Sequence, residues 1–551
     1  MTDSVDEPKP TLHGLDDESR QMILDMVDQL QERLLTKEKI LEYDEKEIFP
    51  EEIIQQMLGP EIGLQLLFIP EKFGGMGGGA RDCCAVTRKL STICLGVGTA
   101  FFAIQLGADQ LIVGGSDAQK QKWLGAIAGG NTLVAYAVTE SGAGSNVAAI
   151  KTKADPVHDD QGNLTGYRIN GSKQFISTGG FADFITLLAM TPEGPTFFVV
   201  EKDAKGFDRG KGEVKHGIRA SNTSPLTFSD VVVPVENLIG EKPGQGLKQA
   251  NKVFGYTRLM VAAMALGSAE AALNIVIPYA KERIQFGTSL AEKQGYTHKL
   301  VVPHAVRLKA ASAYIDEIAI RLDAGESDLQ VEGSIAKLVT TEAANRAADD
   351  AIQALGGYGY ITEFGVEKIK RDVKITCIYE GTSEIQQSII STFRWKKTWK
   401  TKGGYYQGIA DEMAALADKT PESGCRYIEI AAGLLNRLID LVHRNRLTKK
   451  QYIMFTLADF MAYVEVGAAT GRRAIADIKG GSVTMAESRI FANDVAKVAQ
   501  DSTMKILRAS GAFNEADITS VLQDSAFGEL QKSYQHIIAD LDQVAGTLFN
   551  D

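Results

Sequence analysis

The spacing of apolar residues changes character twice along the chain, and that change limits the fold more than any single motif does. Met22, Ile23, Met26, Val27, Leu30 and Leu34 recur at helical spacing. From about residue 133 short β-rich runs replace them, Tyr167 to Ile169, Phe184 to Leu188, Thr196 to Val200 and Leu226 to Val233, set apart by Gly, Asn, Asp and Pro turns. From about 246 the helical period returns, in Leu259, Val261, Ala262, Ala265 and Leu266, then Ile335, Leu338, Val339, Ala343, Ala347 and Ile352. The prediction is an α+β chain with a β domain set between helical regions. Its expected parts are a flexible arm over 1–15, a helical domain over 16–132, a β-barrel-like domain over 133–245 and a helical bundle over 246–395. A linker follows over 396–404, where lysines meet a Gly pair, and then an extra helical domain over 405–551, with Ile428, Ala431, Leu435, Leu438 and Val442 in period.

Length and charge narrow the function classes. At 551 residues several domains are expected, and 54 Gly against 14 Pro points to tight turns and close backbone approach. The net charge of −11 is concentrated in residues 1–60, where sixteen Asp and Glu face six Lys and Arg. No long basic stripe remains to neutralise a phosphate backbone, so nucleic-acid binding is not expected. The acid-rich start lacks transit-peptide and signal-peptide patterns, and a cytoplasmic protein is expected. Cys83, Cys84, Cys94, Cys377 and Cys425 form no disulfide framework or Cys-x-x-Cys pattern, and the seven His lack metal-ligand spacing, so reduced thiols and no metal are expected. The uncharged run between Lys89 and Asp109 is long enough to span a bilayer, but its Ser91, Thr92, Gln105 and glycines favour a buried helix.

Five stretches carry candidate chemistry. Tyr136 to Ser145, with Val138, Thr139, Gly144 and Ser145, is a loop of small residues and hydroxyls that offers backbone N–H groups to a planar, electron-rich ring. Phe175 and Ser177 sit where a strand runs into the Gly179–Gly180 turn; such an aromatic is more often core. Arg283, Phe286, Leu290 and Gln294 form the third, in which the planar fork of Arg283 suits a pyrophosphate, although an isolated Arg is usually a solvated charge. The fourth is Gln353 to Tyr360, whose Gly356 and Gly357 would let backbone approach phosphate oxygens. Last comes Tyr379-Glu380-Gly381-Thr382, followed by Glu384, in which Glu380 alone would read as a loop carboxylate.

Taken in order, these motifs from about 20 to 395 resemble the flavin-dependent acyl-CoA dehydrogenases, and the tail from 405 resembles, more loosely, the extra domain of very-long-chain-type members. The resemblance implies FAD as cofactor and an acyl-CoA substrate. It places Tyr136, Val138, Thr139, Gly144, Ser145, Phe175, Ser177, Thr382 and Glu384 at the flavin, and Arg283, Phe286, Leu290, Gln294, Gln353, Gly356 and Gly357 at the FAD of a neighbouring subunit. Ser145, Arg258, Tyr379 and Gly381 are implied at the substrate, Arg258 meeting the adenosine or phosphate end of CoA. Glu380 is implied as the base that takes the α proton while hydride leaves the β carbon for flavin N5; the position that holds the carboxylate in some relatives is Thr257 here. An electron-transferring flavoprotein is the implied acceptor, and the two-chain site implies an obligate homo-oligomer, expected to be a homodimer whose extra domain covers the surface other members use to form tetramers. Departures from the family pattern are Asn146 for Asp, Phe175 for Trp, Glu384 for Gln, Gln387 for Arg and Gly255 for an acidic residue.

The alternatives are an acyl-CoA oxidase, a dehydrogenase for a branched or dicarboxylic acyl-CoA such as methylsuccinyl-CoA, and a non-catalytic assembly scaffold. The acyl pocket is expected to include Phe101, Phe102 and Ile104. Tyr452 to Leu457, preceded by Arg444, Arg446, Lys449 and Lys450, also fits a basic membrane-surface element, with a bundle helix favoured.

Overall fold

The computed structural model describes residues 13–477, 481–524 and 526–550; most of the arm expected over 1–15 lies outside them. Six helices open the chain: α1 (Asp17–Arg33), α2 (Lys37–Glu45), α3 (Glu51–Met57), α4 (Ala80–Ile93), α5 (Leu95–Gly114) and α6 (Asp117–Ala128). Asp16 caps α1 and Thr36 caps α2, each side-chain oxygen accepting a backbone N–H of the first turn. The long uncharged run is not one helix. Cys94, in extended conformation, divides it into the end of α4 and the start of α5, and α5 is buried nearly throughout its length.

The middle region is a seven-stranded sheet of β1 (Val134–Ala137), β2 (Lys153–His158), β3 (Leu164–Ser177), β4 (Phe184–Thr191), β5 (Gly194–Glu201), β6 (Phe207–Arg209) and β7 (Thr223–Pro234). Its order is β1-β4-β2-β3-β7-β6, with β5 pairing β4, and β1 runs parallel to β4. Every β run picked out by alternation lies in one of these strands. The inward residues form a core of their own, including Ile169, Ile185, Phe198, Leu226 and Val231.

The bundle comprises α7 (Gly246–Glu282), α8 (Gln294–Leu300), α9 (Val302–Asp323), α10 (Gln330–Leu355), α11 (Val366–Val373) and α12 (Ser383–Lys400), with a two-stranded ribbon, β8 (Ile284–Gln285) and β9 (Thr288–Ser289), after α7. α7 packs chiefly on α10 and α4, so it ties the N-terminal helices to the bundle. The remaining helices are α13 (Gly404–Lys419), α14 (Cys425–Arg444), α15 (Gln451–Ala476), α16 (Gly481–Met504), α17 (Glu515–Asp524) and α18 (Ile537–Asn550).

One boundary needs correction. The segment 396–404 is not a free linker: α12 continues through Lys400, and only Thr401 to Gly403 turn the chain, Gly403 at φ 88°. The extension is also fastened by buried charge. Arg394 of α12 donates to Glu332 of α10 at 2.8 Å and to Glu465 of α15 at 2.7 Å, and the hydroxyl of Tyr406 on α13 donates to Glu465 at 3.0 Å. By length and composition α5, α7 and α15 could each cross a membrane, yet most of each apolar stretch is buried within the protein. In α15, Ile453, Met454 and Leu457 point into the bundle while Tyr452 is exposed.

Candidate active site

Glu380 lies in the turn between α11 and α12, where α5, β1, α7 and α10 converge. Its backbone is left-handed, φ 54°, and Gly381 follows at φ 89°. A Cβ on Gly381 would come within 2.7 Å of the Gln386 amide, so both the conformation and the space require glycine. Gln386 secures the turn by donating to the carbonyl of Glu380 at 3.1 Å and to that of Gly381 at 2.8 Å. Thr382 caps α12 through Ile385 N–H.

The carboxyl of Glu380 receives a hydrogen bond from the hydroxyl of Thr257 to Oε2, 2.9 Å, and among the described residues Oε1 has no partner. Burial pushes this carboxyl above the usual range, against the Thr257 bond and the positive charges of Arg258 and Lys337. The same surroundings hold other polar groups. Burial drives Asp109 of α5 well above the carboxylate range, and the charge of Glu380 adds to it. Among the described residues Asp109 Oδ2, Gln105 Oε1 and the hydroxyls of Tyr136 and Tyr379 are buried without a partner. Glu384, four residues on, is treated oppositely: exposed and held low by the Thr382 hydroxyl and its own N–H.

The loop before it is anchored by a pair that sequence reasoning passed over. Lys173 of β3 is buried and donates to Glu140 at 2.8 Å and to the carbonyl of Val138 at 2.9 Å, while Glu140 accepts the N–H groups of Lys151 and Thr152. Despite its burial, those partners bring Glu140 down to about 2; burial draws Lys173 down to about 8. With Glu140 pinned, Gly142 and Gly144 stand with open space beside them, and Ser145 is exposed. Thr139 fixes the neighbouring strand by accepting Gln174 N–H at 2.9 Å. Phe175 is 61% exposed at φ 61°, in a register shift between β3 and β7, and Ser177 ends β3. An aromatic held in strained backbone and turned outward, three residues before a Thr178 hydroxyl that is buried without a partner among the described residues, fits a planar ring system better than a sheet core. These residues fit a flavin.

A second group forms at the far end of α7. The guanidinium of Arg283 lies 5.8 Å from the ring centre of Tyr358, which brings Arg283 to the turn of Gly356 and Gly357. Neither glycine has any atom within 4 Å of an added Cβ, Phe286 is 96% exposed, and Gln353 is exposed. Leu290 closes the ribbon through its N–H to the carbonyl of Arg283, 3.0 Å. Gln294 has a partner nothing in its own segment announced: it donates to Asp542 of α18 at 2.7 Å, and His298 meets the same oxygen at 3.0 Å.

The expected role of Arg258 at CoA is corrected. It is only 5% exposed, on a face of α7 turned to α10, with its nearest bond to Ser334 at 3.4 Å, so its charge acts on Glu380 rather than on a solvent-side phosphate. Tyr379 and Gly381 stand beside the carboxyl. Phe101, Phe102 and Ile104 are buried on α5. Among the described residues no cluster of three His, Cys, Asp or Glu could hold a metal ion.

Residues 17–131, 135–231 and 244–393 match the N-terminal, middle and C-terminal domains described for acyl-CoA dehydrogenase. The chain is 39% identical over 356 residues to a short-chain-specific acyl-CoA dehydrogenase of Clostridium acetobutylicum, an alignment spanning 64% of this chain and 91% of that one. A chain of the solved structure described as the electron transferring flavoprotein of Acidaminococcus fermentans is 34% identical with a TM-score of 0.64, over 68% of this chain and 97% of that one. An acyl-CoA dehydrogenase of Bacillus anthracis, solved in complex with FAD, is 24% identical but superposes over 99% of this chain and 98% of its own with a TM-score of 0.82, so the fold of the extension has a solved counterpart. The chain belongs to the acyl-CoA dehydrogenase family and is an oxidoreductase of that class.

Proposed function

We propose that this protein is an FAD-dependent dehydrogenase of short acyl-CoA thioesters, forming the trans-2-enoyl-CoA with Glu380 as base. The observation that carries the reading is the Glu380 carboxyl, half-buried in the turn before α12, with one oxygen bonded to Thr257 and the other without a partner among the described residues. FAD, when bound, accepts the hydride that leaves the β carbon. Glu380 takes the α proton on Oε1. As negative charge grows on the thioester oxygen, the backbone N–H of Glu380 is offered to it, and a fixed donor in a site shielded from water stabilises that charge more than solvent would. Burial raises the carboxyl toward working pH, so it returns the proton less readily to water and accepts it more readily from carbon.

Short-chain preference is supported by the Clostridium acetobutylicum relative, and an electron-transferring flavoprotein as acceptor by the Acidaminococcus fermentans likeness. A homodimer, in which Arg283, Phe286, Gly356 and Gly357 of one chain complete the FAD site of the other, is supported by how fully those residues are exposed. The test is anaerobic loss of the oxidised-flavin band with a panel of straight, branched and dicarboxylic acyl-CoA esters. Butyryl-CoA is expected to bleach the wild type, and Glu380→Gln is expected to keep its yellow cofactor unbleached. A wild-type flavin indifferent to every ester would overturn the reading, and abundant peroxide during turnover in air would move it to an oxidase.

A further inference from the structure

Lys337 is an unusual residue to find in the middle of a helix bundle. It sits on α10, fully buried, yet among the described residues no carboxylate lies within ion-pair distance of it. A buried ammonium without a counter-ion is costly and is seldom kept unless something uses it. Among the described residues its ammonium donates one hydrogen bond, to the carbonyl of Gly381, 2.5 Å away and 44 residues on in the chain, next to the Glu380 carboxyl. A second buried cation, Arg258, stands beside it with an unpartnered Nε. Two buried positive charges thus lie close to one half-buried carboxyl.

We propose that Lys337 is a positioning residue for the base: its ammonium fixes the Gly381 carbonyl, and with it the turn that aims Glu380, and it supplies the positive charge that favours the ionised carboxyl. This rests on the reading of Glu380 given above. The groups that face Glu380 are Thr257 and Arg258 from α7, Lys337 from α10, Asp109 from α5, Tyr136 from β1, and Tyr379 beside it. Asp109 is buried and driven toward its neutral form, and the groups that face Lys337 besides Glu380 are Cys377, Arg258 and Glu342. Burial brings Lys337 itself down to about 8, so its charge is present at neutral pH and fades above that. The charge that Lys337 brings to Glu380 is therefore lost on the alkaline side.

Three variants separate charge from geometry. Lys337→Gln keeps a donor for the Gly381 carbonyl and removes the charge, Lys337→Met removes both, and Lys337→Arg keeps both. The primary readout needs no substrate: infrared difference titration of the Glu380 carboxyl, whose band is assigned by its loss in Glu380→Gln. The expected result is that the carboxyl titrates about one to two pH units higher in Lys337→Gln and Lys337→Met than in wild type or Lys337→Arg. The acid limb of butyryl-CoA bleaching is expected to move by the same amount, with a lower plateau in Lys337→Met alone. A purely structural lysine would lower the melting temperature and leave the titration in place; superimposable curves for wild type and Lys337→Gln overturn the proposal. Because the infrared titration proceeds without turnover, a flavin that no acyl-CoA bleaches would sink the functional reading while still leaving the effect of Lys337 on Glu380 measurable.

Discussion

The two ends of the site are made in opposite ways. Around Glu380 one chain supplies the carboxyl proposed as base, the hydroxyl that binds it, two buried cations and the glutamine that locks the turn, from three helices, a strand and the turn itself. Around Arg283, Phe286 and Gly356 the same chain leaves an aromatic almost wholly in water and two glycines with nothing beside them. The first arrangement suits proton removal, which needs a fixed field and little water. The second offers an exposed aromatic, a guanidinium and open glycine backbone, which suits the proposed contact with a dinucleotide and a second subunit.

The widest gap between the two ends should appear on removing the base. Glu380→Gln is expected to slow butyryl-CoA bleaching by about 10²–10⁴-fold with FAD content unchanged, since a positioned general base contributes about that much. A variant that also loses FAD would break the comparison.

Next in size is the Glu140–Lys173 anchor. Lys173→Met strands a buried carboxylate and is expected to cost about 3–5 kcal/mol, read as a lowered thermal midpoint. Glu140 also sets a pH dependence. Its folded pKa, about 2, lies below its unfolded value of 4.5, so its contribution is complete above 4.5 and is lost as pH falls from 4.5 through 2. Wild type is expected to lose stability across that window and Lys173→Met to lose less.

At the open end the expected change is in binding. Arg283→Ala removes a charge-assisted contact and is expected to weaken FAD retention by about 1.5–3 kcal/mol, roughly ten- to a hundredfold, while the bleaching rate of molecules that keep FAD stays near wild type. Its check is equilibrium dialysis against FAD. Asp542→Ala is the smallest. It frees Gln294 and His298 from α18, and about 1 kcal/mol of stability is expected to go, seen as earlier loss of flavin on heating. An effect on the bleaching rate would show that the extension reaches the chemistry as well as the cofactor edge.

Local order was legible in the sequence where periodicity writes it, as helix, sheet and helix. Tyr379 to Thr382 stood out only through the resemblance to the family, because a lone Glu before Gly reads as a solvated loop residue. What escaped was contact at long range. Thr257 meets Glu380 across 123 positions, and Gln294 meets Asp542 across 248. Thr257 could be noticed as a place without a carboxylate, but not as the hydroxyl that binds one. Arg258 was misplaced for a related reason: α7 is buried on most of its circumference, so its sequence has no clear polar face to say which way an Arg points. The 396–404 segment misled because lysines end a helix as readily as they mark a linker.

The central claim is that Glu380 removes the proton next to the thioester carbonyl. Incubating the protein with butyryl-CoA in heavy water and following deuterium entry at the α carbon by mass spectrometry tests this directly, because exchange reports the proton step alone. Label is expected with the wild type and not with Glu380→Gln. Exchange at an equal rate in both would assign the proton to another group and contradict the account.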